Sequence, residues 1–356
     1  MAGLFKKRGN ILRPIFTKVK ISRSLLFMLF LALVMLMVPT VGPLPLLARP
    51  DRQIPNWPEL PNCDEKKKSS FDKAMGLYHQ DEAEKAIELL ENALSDGDET
   101  AMYGLAYIET QRRNLEEATE YLEILMDETK DKGVLGCCHF LRASIFEEQR
   151  MHDKAIEELR LSEKFYKEVD HFEGVVQTHF FLAYLYRKER NYSLQEKHAK
   201  IAYRLSIFKK KGRGYACTAM SDLYFRKNDF DTALEYLNKA LAGFQQECNK
   251  LCVLAAHYDI ANLKIYLGRL DGVEEHIEAS FPPTAADAKP TLVTAWNHLN
   301  YVMLSKCTGN DVSRSHELIR KFLRADTSLK GQYERILKWK CPHNHEKKLT
   351  SKQKGK

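Results

Sequence analysis
From about Lys66 onward, apolar residues recur every three or four positions in runs of a dozen or more. Glycines are few, and no proline interrupts the chain until Pro282. That period places side chains on one face of an α-helix, so the pattern predicts helix after helix and no strand. Short polar turns separate the runs: Arg113-Asn114, Met151-His152, Arg190-Asn191, Asn228-Asp229 and Gly268-Arg269. Asn and Gly in such turns suit the left-handed conformation that closes a helix.

Comparing the chain with itself sharpens the pattern. A small residue recurs with a second one twelve positions later: Ala74 with Ala86, Ala106 with Ala118, Ala143 with Ala155, and Ser221 with Ala233. Ala183 with Gln195 and Ala261 with Val273 follow the same rule more loosely. Four residues beyond each second site stands Leu90, Leu122, Leu159, Ala199, Leu237 or Ile277. Seven beyond stand Ala93, Ser162, Ala202, Ala240 and Ser280, with Leu125 as the exception. Antiparallel helices approach closely only where small side chains face each other, and twelve residues is the distance that a helix end, a turn and a helix start require.

These residues resemble the tetratricopeptide repeat, whose first helix carries a small residue and an aromatic, and whose second carries an alanine and a large apolar residue. The copy from Ala219 to Leu241 matches at Ser221, Tyr224, Ala233, Leu237 and Ala240, and a degenerate seventh unit is expected from Trp296 to Leu323 around Gly309-Asn310. The first sites lie mostly 37 to 40 residues apart rather than the usual 34, which predicts longer helices. The resemblance implies an all-α fold, a right-handed superhelix or solenoid of about six to seven hairpins over 66–325, whose first helices line a concave groove. A C-terminal helix is expected at 326–340 and a basic disordered tail at 341–356.

The N-terminal part differs in kind. Residues 1–24 carry seven basic residues and no acid, and the run Leu25 to Val38 is wholly apolar within an uncharged stretch that ends at Leu47. About twenty apolar residues cross a bilayer, so 25–47 is read as a transmembrane signal-anchor. The preceding basic block sets the N-terminus in the cytoplasm and the repeats on the extracytoplasmic side. A cleaved secretory signal and a mitochondrial membrane address are the competing readings. The segment 48–65, with Pro50, Pro55, Pro58 and Pro61, reads as a linker.

Charge and chemistry narrow the function. The net charge of +7 comes from the two ends, which carry +7 (1–24) and +6 (338–356) and leave the remainder at −6, so a nucleic-acid-binding body is disfavoured. Eight dispersed cysteines form no framework and read as buried thiols. Cys341-Pro342-His343-Asn344-His345 lacks the partner pair a zinc site needs, and no phosphate loop, nucleophile elbow or dinucleotide motif occurs. No cofactor, no metal and no catalytic residue is therefore expected. The resemblance implies that the residues flanking each first small site face the groove. These are Phe71, Met75, Tyr78, Tyr103, Tyr107, Phe140, Phe180, Tyr184, Arg187, Lys188, Tyr215, Asp222, Phe225, Arg226, Tyr258, Asn262 and Tyr266. The chain is thus expected to be a membrane-anchored scaffold for a protein or peptide ligand. A peptide-sensing receptor is the alternative, and an enzyme is disfavoured.

Overall fold
A computed structural model describes residues 73–78, 82–247, 250–281, 292–325 and 329–342. All of them belong to one unit, Pro45–Lys356. The expected anchor at 25–47, the linker 48–65 and the tail beyond 342 lie outside the described residues. Within them, no helix is long and apolar enough to cross a membrane.

The described chain is all helix and loop. It opens with α1 (73–78), α2 (Ala83–Ser95), α3 (Thr100–Arg112), α4 (Leu115–Glu128) and α5 (Lys132–Glu148). Then follow α6 (His152–Glu168), α7 (Phe172–Lys188), α8 (Tyr192–Lys209), α9 (Arg213–Arg226) and α10 (Phe230–Gln246). The last are α11 (Lys250–Tyr266), α12 (Val273–Ala279), α13 (Leu292–Thr308), α14 (Ser313–Ala325) and α15 (Lys330–Lys338). Odd and even helices pair into consecutive hairpins, and the first helices α3, α5, α7 and α9 also adjoin one another, as do α11 and α13. This is a tandem array of helical hairpins, as expected from the repeat in the sequence.

The small-residue rule describes the contact inside each hairpin. Ala74, Ala86, Ala106, Ala118, Ala143, Ala155, Ser221, Ala233 and Ala261 are all fully buried. So are Leu90, Leu122, Leu159, Ala199, Leu237 and Ile277, the residues one helical turn beyond the second site. At the best copy the two helices are joined directly, because the Ser221 hydroxyl donates to the Ala233 carbonyl at 2.9 Å. The looser pairs are buried as well, Ala183 against Gln195 and Ala261 against Val273.

The turns share one geometry. One or two places past the end of each first helix stands a left-handed residue, and the next N–H reaches back five positions: Asn114 to the Glu109 carbonyl, Met151 to Phe146, Asn191 to Tyr186, Asp229 to Tyr224 and Arg269 to Lys264, at 2.8–3.0 Å. This is the Schellman closure. At three of the turns the left-handed position is held by Arg113, Arg150 and Arg190 rather than by the expected Asn or Gly. An arginine there costs about 1 kcal/mol against glycine, and the closing hydrogen bonds offset it. After Arg190 the next residue, Asn191, opens the following helix, its Oδ1 accepting from the Leu194 N–H.

Helices close on glycine both within a hairpin, at Gly136, Gly214 and Gly243, and between hairpins, at Gly174. A Cβ on Gly136 or Gly174 would fall 2.7 Å from the Tyr166 ring, and one on Gly243 would fall 2.7 Å from the Gly214 backbone nitrogen. Tyr166 and Phe244 stand at the same place in their hairpins, eleven residues past the second small site, and Phe244 packs over Gly214 as Tyr166 packs over Gly136.

The C-terminal end departs from expectation. Cys307 on α13 and Cys341 form a disulfide with their Cα atoms 5.2 Å apart, and Cys341 is fully buried. Cys137, Cys138 and Cys217 are buried thiols, as the sequence implied, and Cys252 is a half-buried thiol. The bridge holds α15 through the loop that follows it, helped by Lys306 Nζ on the Leu337 carbonyl at 2.6 Å and His316 Nδ1 on the Tyr333 hydroxyl at 2.6 Å. Replacing Cys307 and Cys341 with serine should lower the unfolding free energy by about 2–4 kcal/mol. Urea titration would measure the loss, and hydrogen exchange should quicken at Tyr333 and Ile336 while leaving α5 unchanged.

Candidate functional site
First and second helices differ in what they bury. Along α5 almost every position from Gly133 to Glu147 is buried, and along α9 nearly every one from Gly214 to Phe225. α10 buries only Ala233, Leu237, Ala240, Gly243 and Phe244. A helix apolar all round sits between neighbours, whereas one with a single apolar stripe covers them from one side. The residues before and after each first small site therefore lie where consecutive first helices touch.

Most of the expected site residues are at that contact. Met75, Tyr103, Tyr107, Phe140, Phe180, Tyr215, Asp222, Phe225, Tyr258 and Asn262 are buried, and Tyr78, Tyr184, Arg187, Arg226 and Tyr266 are half-buried. Phe71 lies outside the described residues. The rings meet across hairpins: Tyr78 with Tyr107 at 6.3 Å, Phe180 with Tyr215 at 5.8 Å, Phe225 with Tyr266 at 6.2 Å, and Tyr258 with Trp296 at 5.6 Å between centroids. Such pairs contribute about 0.5–1.5 kcal/mol beyond the area they bury.

A polar line runs beside the rings. Glu147 on α5 accepts from Lys188 and from the Tyr184 hydroxyl, both on α7. Arg187 on α7 stacks on the Tyr184 ring at 5.4 Å and points its Nε to Asp222 on α9 at 3.9 Å. Asn262, expected to face the groove, donates instead to Asn300 Oδ1 on α13 at 2.8 Å, and Asn300 returns a bond to the Tyr258 carbonyl at 3.3 Å. Glu147 and Asn300 were not among the residues expected from the sequence, whereas Lys188, beside Arg187, was expected to face the groove. The signal of Glu147 and Asn300 was available only as a partner 37 to 41 residues away. Tyr184, Arg187, Arg226 and Tyr266 remain half-buried, and aromatic and guanidinium side chains are suited to peptide recognition. Among the described residues no group of three or more His, Cys, Asp or Glu side chains is placed to hold a metal ion.

The histidines, scattered singly in the sequence, occupy repeated positions. His139 meets Glu158 at 2.7 Å, His179 meets His198 at 3.0 Å and His257 meets His276 at 2.9 Å, each pair nineteen residues apart and joining the two helices of one hairpin. Burial pushes the His198 imidazole down to about 4, helped by its neighbours His179 and Lys197. Burial also lowers His179 despite the opposing charge of Glu163, and it lowers His257 and His276. An unfolded imidazole takes its proton near pH 6.5, which the folded His198 refuses until about 4. The stability these groups contribute is thus fully present above about pH 6.5 and is lost as the pH falls towards 4. Melting temperature measured across that interval should decline, and the His198→Gln, His276→Gln double variant should decline less. An equal slope in both proteins would place the pH dependence elsewhere.

No family model and no curated protein matches this chain. Solved structures do resemble it. One is a Signal Transduction ATPase with Numerous Domains protein with a tetratricopeptide repeat sensor from Pyrococcus horikoshii, at 15% identity and a TM-score of 0.48, over 77% of this chain and 43% of that one. This chain therefore spans less than half the length of that ATPase. Another is BtubC from P. vanneervenii, at 17% identity and a TM-score of 0.39, over 64% of this chain and 95% of that one.

Proposed function
We propose that the chain is a membrane-anchored scaffold that binds a protein or peptide along its first helices. In this reading the hairpins wind into a right-handed superhelix, and its concave side carries the ligand. Segment 25–47 is the transmembrane signal-anchor, the repeats stand on the extracytoplasmic side, and the chain is a binder rather than an enzyme. The observation that carries the binding role is the series Tyr184, Arg187, Arg226 and Tyr266, which lies on consecutive first helices and stays only half-buried where most of the residues around it are buried. Rigid aromatics beside planar cations supply contact area and hydrogen bonds at low entropic cost. The Cys307–Cys341 disulfide supports the extracytoplasmic placement, because such bridges persist in oxidising compartments.

A photoreactive benzoylphenylalanine placed in cells tests this directly. At Tyr184 or Tyr266 it should give discrete protein adducts. At Ile124 or Leu161, which are exposed on second helices, it should give none. Adducts from the second pair alone would remove the proposed binding face.

A further inference from the structure
The outer side of α8 is unlike the rest of the folded chain. From Lys197 to Ser221 there are seven basic residues and no acid, within a body whose net charge is −6 once the two basic ends are set aside. Lys197, Lys200, Arg204 and Phe208 follow one another at three- and four-residue spacing and are all exposed, so they share one face of the helix. Phe208 is 78% exposed and its neighbour Ile207 50%, and Lys210 and Lys211 extend the charge just past the helix end. Favourable interaction with the helix dipole accounts for basic residues in the last turn. It does not account for Lys197 and Lys200, two to three turns upstream, or for a phenylalanine held out in water. Some of the charge is paired, since Glu196 takes Lys200 at 2.7 Å and Lys227 at 3.1 Å, but both contacts are at the surface and weak.

We infer that this face of α8 docks on an anionic lipid surface, with Phe208 and Ile207 entering the boundary between headgroups and acyl chains and the basic stripe lying against the headgroups. A lone protruding aromatic beside lysines needs a deformable apolar partner rather than a matching cavity, which favours a bilayer over a folded acidic protein. The negative remainder of the domain disfavours other orientations on the same surface, so the stripe also fixes which side faces the lipid. Docking does not depend on the anchor proposed above. With that anchor, tethering of the repeats to the same membrane would raise the effective concentration of α8 at the bilayer and make a weak patch sufficient.

The test uses the full chain with Phe208→Trp, reconstituted with vesicles of brominated phosphatidylcholine containing about a third phosphatidylglycerol. Relative to the parent, which retains Trp57, Trp296 and Trp339, the introduced indole should be quenched by the brominated chains. Quenching should be absent without phosphatidylglycerol, should fade at about 0.5 M salt, and should fall about five-fold in docked-to-undocked ratio for each of K197Q and R204Q. Alkaline carbonate extraction reports the anchor separately. Quenching in a chain that carbonate releases would keep the docking surface and remove the anchor. An unquenched indole in a Phe208→Trp chain that resists extraction would keep the anchor and overturn the docking, and quenching indifferent to phosphatidylglycerol would overturn the role of charge.

Discussion
Two helices can lie in close contact only if nothing large stands between them, and the rest of this structure depends on that constraint. At Ala143 against Ala155 and at Ser221 against Ala233 no side chain beyond a methyl or a hydroxymethyl separates the backbones, and the Ser221 hydroxyl bonds across the gap to a carbonyl. The same contact recurs from hairpin to hairpin, so each first helix is fixed relative to its own second helix. Gly136 under Tyr166, and Gly214 under Phe244 and against Gly243, let the two helices of one hairpin close on each other at the far end as well, and Gly174 lets the next hairpin approach the same Tyr166 ring. First helices are thereby buried on nearly every side and bring their flanking residues together across hairpins.

That packing decides what the candidate face can be. Phe180, Tyr215, Tyr258 and Asn262 are engaged with neighbouring hairpins, and what remains accessible is the rim made by Tyr184, Arg187, Arg226 and Tyr266. The line Glu147, Lys188, Tyr184, Arg187 and Asp222 ties α5 to α7 and α7 to α9 through charge-assisted contacts. A ligand on this rim would meet groups already oriented by their partners, which lowers the ordering cost of binding. The outward second helices are free to differ, and α8 does so in charge and in its exposed phenylalanine.

The hairpins were legible in the sequence because the signal is local and repeated. A twelve-residue spacing crosses only one turn, so Ala106 and Ala118 can be matched without knowing anything beyond that hairpin. Even Gln195 and Val273, which break the small-residue rule, were placed by the register of the other copies and are buried there. What escaped involves partners that periodicity does not pair. The histidine pairs join positions nineteen apart, on opposite sides of a turn, and Glu147 with Lys188 is forty-one residues apart. The disulfide links Cys307 to Cys341 through a return of the chain over α13 that no repeat rule covers. The left-handed arginines were missed for another reason, since backbone closure by hydrogen bonds outweighed the residue preference.

The claim that small side chains set the spacing of the hairpins is tested most directly by enlarging them one at a time. Ala143→Leu and Ala233→Leu, compared with Ala242→Leu on the exposed side of α10, would be followed by chemical denaturation. Each of the first two should lose about 1–3 kcal/mol through overpacking, and Ala242→Leu should stay near the parent. Equal stability in all three would mean that the helices tolerate bulk at these sites and that their spacing has another origin.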